Sequence, residues 1–401
     1  MRLFLMIGLL MTFLYQNAFA QSESSYNIRY FAHTGGVYNN QIDKTNETNT
    51  TQINFDQAVF TIMATANFGD RFSFLGEFTL ENSFDEATSS LIFQPNLHRL
   101  FMRYNFSDYF GIQIGKTTLP IGYWNNAFYR GGAITQPTIE RPSFLQESEF
   151  AVITDYALQL EGQGISRYNF GYSLFLGPGR TSQYFNSFNG LTWGFDLHFE
   201  PVESLRLGYS FKHDKIPEDQ AYEDAIEILG ENGLMGIFNP VISEQIGITT
   251  DRERVYKVLL QNTSINKSAI SLVYMEGFTP WEVIAEYHFS RWHPDEVGID
   301  LDESVVQDDI FLYTGYHLGK LTPYFMYQYS AFVMDYPTEK IFDSSDNLYG
   351  LGVRYNFTPN AVIKVEYKYR DGHDAPFGPA GTPVVNDTDS HWAGIQIAVG
   401  F

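Results

Sequence analysis

The sequence predicts an all-β chain that crosses the bacterial outer membrane as an antiparallel β-barrel. Three observations carry that expectation. Segments near ten residues long alternate apolar and polar side chains along most of the chain. Such alternation gives a strand one greasy face and one wet face. Aromatic residues make up 17% of the 401, with 27 Tyr and 35 Phe. Aromatics suit pleated, half-buried surfaces, and Tyr and Trp favour membrane interfaces. The first residues have the build of a secretory signal.

That signal is read as Arg2, an apolar stretch from Leu3 to Leu14, and the A-x-A site Ala18-Phe19-Ala20. Residues 1–20 are expected to be removed, leaving 21–401 as one barrel domain. The apolar run is shorter than the ~20 residues a helical span needs. No later segment has such a run, so any crossing is made by strands.

The clearest strands alternate without error. Phe72, Phe74, Phe78 and Leu80 oppose Ser73, Glu77, Thr79 and Glu81. His98 to Phe106, Leu191 to Phe199, Trp281 to Tyr287, Tyr349 to Phe357 and Ile363 to Tyr369 follow the same rule. The chain closes on Ile395, Ile397, Val399 and the terminal Phe401. A soluble sandwich would alternate in the same way. The signal, the strand lengths and the aromatic load favour the barrel. The mean hydropathy of -0.21 agrees, because strands with one polar face average out to mildly polar.

Short turns fall at Gly69-Asp70, Ser107-Asp108, Gly162 to Gly164, Pro201 to Ser204, Gly277 to Pro280, Gly319-Lys320 and Thr358 to Asn360. Longer polar segments alternate with them at 39–54, 83–96, 118–150, 178–189, 213–267, 293–306, 334–346 and 371–389. Seven turns and eight loops connect sixteen strands, with both termini on the periplasmic side. Val255, Lys257 and Leu259 could form a further strand, and with a partner would make eighteen. Glu218 to Leu229 has helical spacing and reads as a short helix outside the barrel.

Several segments together resemble the phosphate-selective porin O/P family and its relatives. They are Gly115 to Gly122, Thr279 to Tyr287, Leu348 to Tyr355, Pro359 to Tyr367 and the terminal strand, in that order along most of the mature chain. The resemblance implies a sixteen-stranded water-filled pore, a homotrimer, and a loop after the fifth strand that folds inward as a constriction. It also implies that Phe401, with Val399, Ile397 and Ile395, is the signal read by the outer-membrane assembly machinery.

The constriction candidates are Arg130, Glu140, Arg141, Glu147 and Glu149 in 118–150, facing Arg99 and Arg103 of the fourth strand. Opposed charges across a narrow wet passage would set selectivity. The alternative is that they are ordinary solvated loop charges. Arg206, Arg354, Lys364, Glu366, Lys368 and Arg370 are expected on the lumen wall, where bases and acids nearly balance. The formal charge is -22, and removal of Arg2 with the signal leaves 24 basic against 47 acidic residues, or -23. The excess acid is therefore expected in the outer loops, including Asp214, Asp308, Asp309, Asp371 and Asp389. An acidic rim would concentrate cations, and its carboxylates suit divalent ions. Phosphate selection would need a basic mouth, which these loops lack.

Nucleic-acid binding needs a basic face and is excluded by this charge. The absence of Cys removes thiol nucleophiles and Cys-based metal sites. No H-x-x-x-H, G-x-S-x-G or Gly-rich phosphate loop is present, so no enzyme and no cofactor is expected. A hydrolase assembled from neighbouring strands would leave no such motif. The function read from these features is passive diffusion of small hydrophilic solutes or ions, with weak cation preference. Outer-membrane lipid and lipopolysaccharide are the expected surroundings, in a Gram-negative bacterium. A binding protein or receptor using long acidic loops is the alternative.

Overall fold

Alternation of period two forces each strand to place one apolar face outward if the polar face is to meet water inside a ring. A computed structural model shows that ring. It describes residues 24–44, 48–55, 58–85, 90–128, 132–142, 145, 154–178, 191–216, 263–275, 279–294, 304–335, 340–376 and 386–401.

The strands are β1 (Ser24–Asp43), β2 (Thr48–Phe55 and Val59–Phe68), β3 (Phe72–Asp85), β4 (Ser90–Ser107), β5 (Phe110–Thr118), β6 (Thr154–Ile165), β7 (Phe170–Gly177) and β8 (Leu191–Val202). They continue as β9 (Leu205–Ile216), β10 (Thr263–Tyr274), β11 (Trp281–Pro294), β12 (Ser304–Tyr316), β13 (Leu321–Asp335), β14 (Lys340–Thr358), β15 (Ala361–Pro376) and β16 (Asn386–Gly400). Both segments of β2 pair with β1, so they are one interrupted strand. Each strand is antiparallel to its chain neighbours, and β16 closes the ring on β1 in the register Gly35 to Gln396. The barrel has sixteen strands, not the alternative eighteen.

Outward side chains are apolar and exposed, among them Ile270, Leu351, Val365 and Ile397. Aromatics gather at two levels. Trp281 meets Tyr316 and Tyr355 meets Phe357 near one rim, while Tyr327, Tyr349 and Tyr369 adjoin one another higher up. Tyr355 and Tyr349 stand ~20 Å apart along their strand at ~3.3 Å per residue. Two aromatic girdles around an apolar band are the outer-membrane pattern.

Several boundaries differ from the sequence reading. The third turn lies at Ser166–Asn169, beyond Gly162–Gly164, with Ser166 and Asn169 at positive φ. An irregularity between Gly162 and Ile165 carries the strand past those glycines. Strands also run further outward than expected: β1 to Asp43, β9 to Ile216, β12 from Ser304 and β14 from Lys340. Asp214, Asp308, Asp309, Asp371 and Asp389 therefore belong to strands rather than outer loops. The alternation that marks a strand fades where both faces meet water, so the outer ends read as loop. Residues 1–20, 218–229 and 252–262 lie outside the described residues.

Candidate functional site

The inner face should be polar throughout, yet β10 to β13 depart from that rule. Val273, Ile284, Phe311, Tyr313, Tyr324 and Met326 point inward and are buried. They pack with Trp124 and Phe128 of a short helix, α1 (Tyr123–Phe128), and with Leu145. The Trp124 ring lies 4.9 Å from Phe311 and 4.7 Å from Phe128, centroid to centroid. An apolar patch inside the ring is stable because this part of the chain covers it.

The covering segment follows β5. Leu119 and Ile121 are buried against Ala157, Phe175 and Ala269. Gly122 then turns the backbone with φ 73, which favours glycine. Its N–H donates to Ser210 Oγ at 2.9 Å, and the next two amides donate to Glu286.

The far end of the segment is held by β15 and β16. Lys364 Nζ donates to the carbonyls of Ala133 at 2.6 Å and Thr138 at 2.9 Å, and to Gln396 Oε1 at 3.2 Å. Ile139 N–H donates to Glu366 Oε2 at 3.1 Å. Lys368 sits between Glu366, at 3.0 Å, and Glu140. Its ammonium also lies 4.4 Å from the centre of the Trp392 ring. An ammonium with three donors and no acceptor suits a cluster of carbonyls and carboxylates.

The remaining predicted residues divide by exposure. Arg99 is buried and bonded to Glu77 on β3. Arg103 Nη1 lies 2.7 Å from Glu161 on β6, with both side chains partly exposed. Arg206 approaches Asp196 at 3.8 Å, and its guanidinium lies 5.2 Å from the centre of the Tyr123 ring. Arg354 Nη2 donates to both oxygens of Glu282, at 3.1 and 3.2 Å. Arg370 pairs with Asp346. Arg141 is half-buried. Phe401 pairs its backbone with Tyr30, at 2.8 and 2.9 Å, and is exposed at the end of the ring. Arg130, Glu147 and Glu149 lie outside the described residues.

Sequence reasoning missed Lys267, Asp214, Asp309 and Asp346 on the inner face, all in stretches read as outer loop. Lys212 and Asp214 pair at 2.6 Å, and Ser330 Oγ donates to Asp309 at 2.5 Å. Period two would have found Asp214 and Asp309 had their strands been extended.

Comparison with solved structures gives the same architecture. An anion-selective porin from Comamonas acidovorans is 11% identical, with 94% of this chain and all of that one covered and a TM-score of 0.58. A loop-deleted OmpT, an outer membrane protein of Vibrio cholerae, is 12% identical over 95% of this chain and 100% of that one, with a TM-score of 0.56. OmpF of Salmonella typhi is 11% identical over 94% and 97%, with a TM-score of 0.53. At these identities the likeness shows the fold. No family model matches the chain, and no curated protein matches it. A closed sixteen-strand ring with an apolar outside and two aromatic girdles has the architecture of an outer-membrane barrel.

Proposed function

We propose that the protein is a porin: a water-filled channel for passive diffusion of small hydrophilic solutes or ions, without enzymatic activity. One observation supports this most. The segment after β5 bonds to inner-face side chains of β9, β11, β15 and β16. On β4 and β6, Arg103 and Glu161 keep side-chain exposures of 30% and 22%. A segment tied to the wall while inner charges still meet water is how a loop narrows a pore without closing it. Glu140, Arg141 and the described charges opposite would line that constriction.

Several finer statements belong to the same reading. Residues 1–20 act as a signal peptide, and Phe401 serves as an assembly signal for the barrel-assembly machinery. The barrel sits among phospholipid and lipopolysaccharide as a homotrimer; one V. cholerae OmpT structure is of a trimer form. Kinship with the phosphate-selective porin O/P family rests on the ordered segments, and phosphate specificity is not part of the proposal. The partly exposed inner charges are largely paired, so the mature charge of -23 favours weak cation preference.

Planar-bilayer recording of the purified protein tests the reading. Stepwise currents are expected. A folded barrel that passes none would sink the channel and return attention to a receptor. Reversal potential in a salt gradient tests the finer claim, and a clear anion preference would overturn it.

A further inference from the structure

We propose that Glu286 is the residue that positions the segment after β5 and thereby sets the aperture; the aperture part rests on the channel reading above. Glu286 stands on the inner face of β11 and is 2% exposed. Its two oxygens accept from two successive amides of α1, Trp124 N–H at 2.6 Å and Tyr123 N–H at 3.1 Å. The first amides of a helix have no partner within the helix. They are usually met by a local Ser, Thr, Asp or Asn side chain just before it. Here Ile121 and Gly122 precede the helix, and its first turn carries no acid. The cap comes instead from a strand more than 160 residues further along the chain.

Wall and segment are shaped for each other. His288 Nε2 lies 2.9 Å from Glu286 Oε2 and restrains the carboxylate. A side chain on Gly122 would run into that same oxygen and would stand 2.9 Å from His288 Cε1. Glycine is thus needed twice, for the positive φ of 73 and for the close approach to Glu286. Glu286 acts through the helix. The Tyr123 ring lies beside Arg206, and Trp124 covers the apolar arc of β10 to β13. Displacing α1 moves both.

The chain has no Cys, so one added thiol reports the helix without background. N126C places it on α1, at a half-buried position. Thiol labelling rate and single-channel conductance are measured on N126C alone and combined with E286A or E286Q. Heat-dependent gel migration checks that the barrel is folded, and a merely structural role would move only that readout. Loss of both hydrogen bonds in E286A should speed labelling about thirtyfold and raise conductance and open-channel noise. E286Q, with one acceptor oxygen for two amides, should fall between. Labelling that stays at the parent rate overturns the proposal, and so does faster labelling with unchanged conductance. Should E286A fail to fold, E286Q carries the test with the same two outcomes. A parent that conducts nothing defeats the channel reading and the aperture claim, while labelling still decides whether Glu286 holds the segment.

Discussion

Replacing Lys364 by Met should release the far end of the segment while leaving the barrel intact. Lys364 is fully buried, and its three ammonium donors meet three acceptors: Ala133 O, Thr138 O and Gln396 Oε1. Met matches the length of the stem and supplies no donor. Two of these bonds reach the segment, each worth ~1 kcal/mol net, so docking weakens by ~2 kcal/mol. Removing a buried charge returns part of its desolvation cost, which makes this an upper figure. At ~1.4 kcal/mol per factor of ten, opening becomes up to ~30-fold more frequent. Hydrogen exchange at the Ile139 amide reads this directly, because that amide is bonded to Glu366 on the same strand as Lys364. Ile139 should exchange up to about thirtyfold faster, with the β15 and β16 ladders unchanged. Unaltered exchange at Ile139 would refute the clamp. Loss of protection throughout β15 would show that Lys364 serves the strand and not the segment.

Three other outcomes follow from the geometry. W124A removes the ring that covers Phe311 and should cost ~3–5 kcal/mol of docking, seen as faster exchange of the α1 amides. L351R puts a cation on a side chain that is 60% exposed on the outer face, and should lower barrel stability by up to ~2–4 kcal/mol in urea titrations from lipid vesicles. R103Q removes the positive partner of Glu161 and should shift the reversal potential toward cations; a shift toward anions would contradict the assignment of this pair to the passage.

Much of the fold was legible because one rule, period two, governs nearly every strand. Phe72 to Leu80 and Ile363 to Tyr369 could be placed by parity alone, and both have the outward apolar face that parity assigns. The rule failed in two physical situations. At outer strand ends, as in Asp343 to Asn347 of β14, both faces are polar and the pattern disappears. Inside the ring, the apolar residues Ile284, Phe311 and Met326 face inward because Trp124 and its neighbours cover them. The clamps were not legible at all. Lys364, Glu366 and Lys368 read as wall charges, and nothing local shows that their partners lie more than 220 residues away. Period two along Trp281 to Tyr287 places Glu286 on the inner face, but its service to Tyr123 and Trp124 needs the ring to close.

The inner charges form two groups by what surrounds them. Glu282 is met by Arg354, by His317 at 3.0 Å and by the Tyr313 hydroxyl. Glu366 is met by the Tyr324 hydroxyl at 2.6 Å, by Ile139 N–H and by Lys368. Each carboxylate is almost fully buried, where an unpaired charge would be very costly. Such groups hold backbone and neighbouring strands in place, and their partners screen them from any passing ion. Arg103 with Glu161, Arg206, and Arg370 with Asp346 keep partial exposure. Their fields reach water, within a screening length of ~8 Å at physiological salt. On the proposed channel reading, aperture and selectivity should therefore be separable: changes among the buried tethers should move the segment, and changes among the exposed pairs should alter which ions pass it.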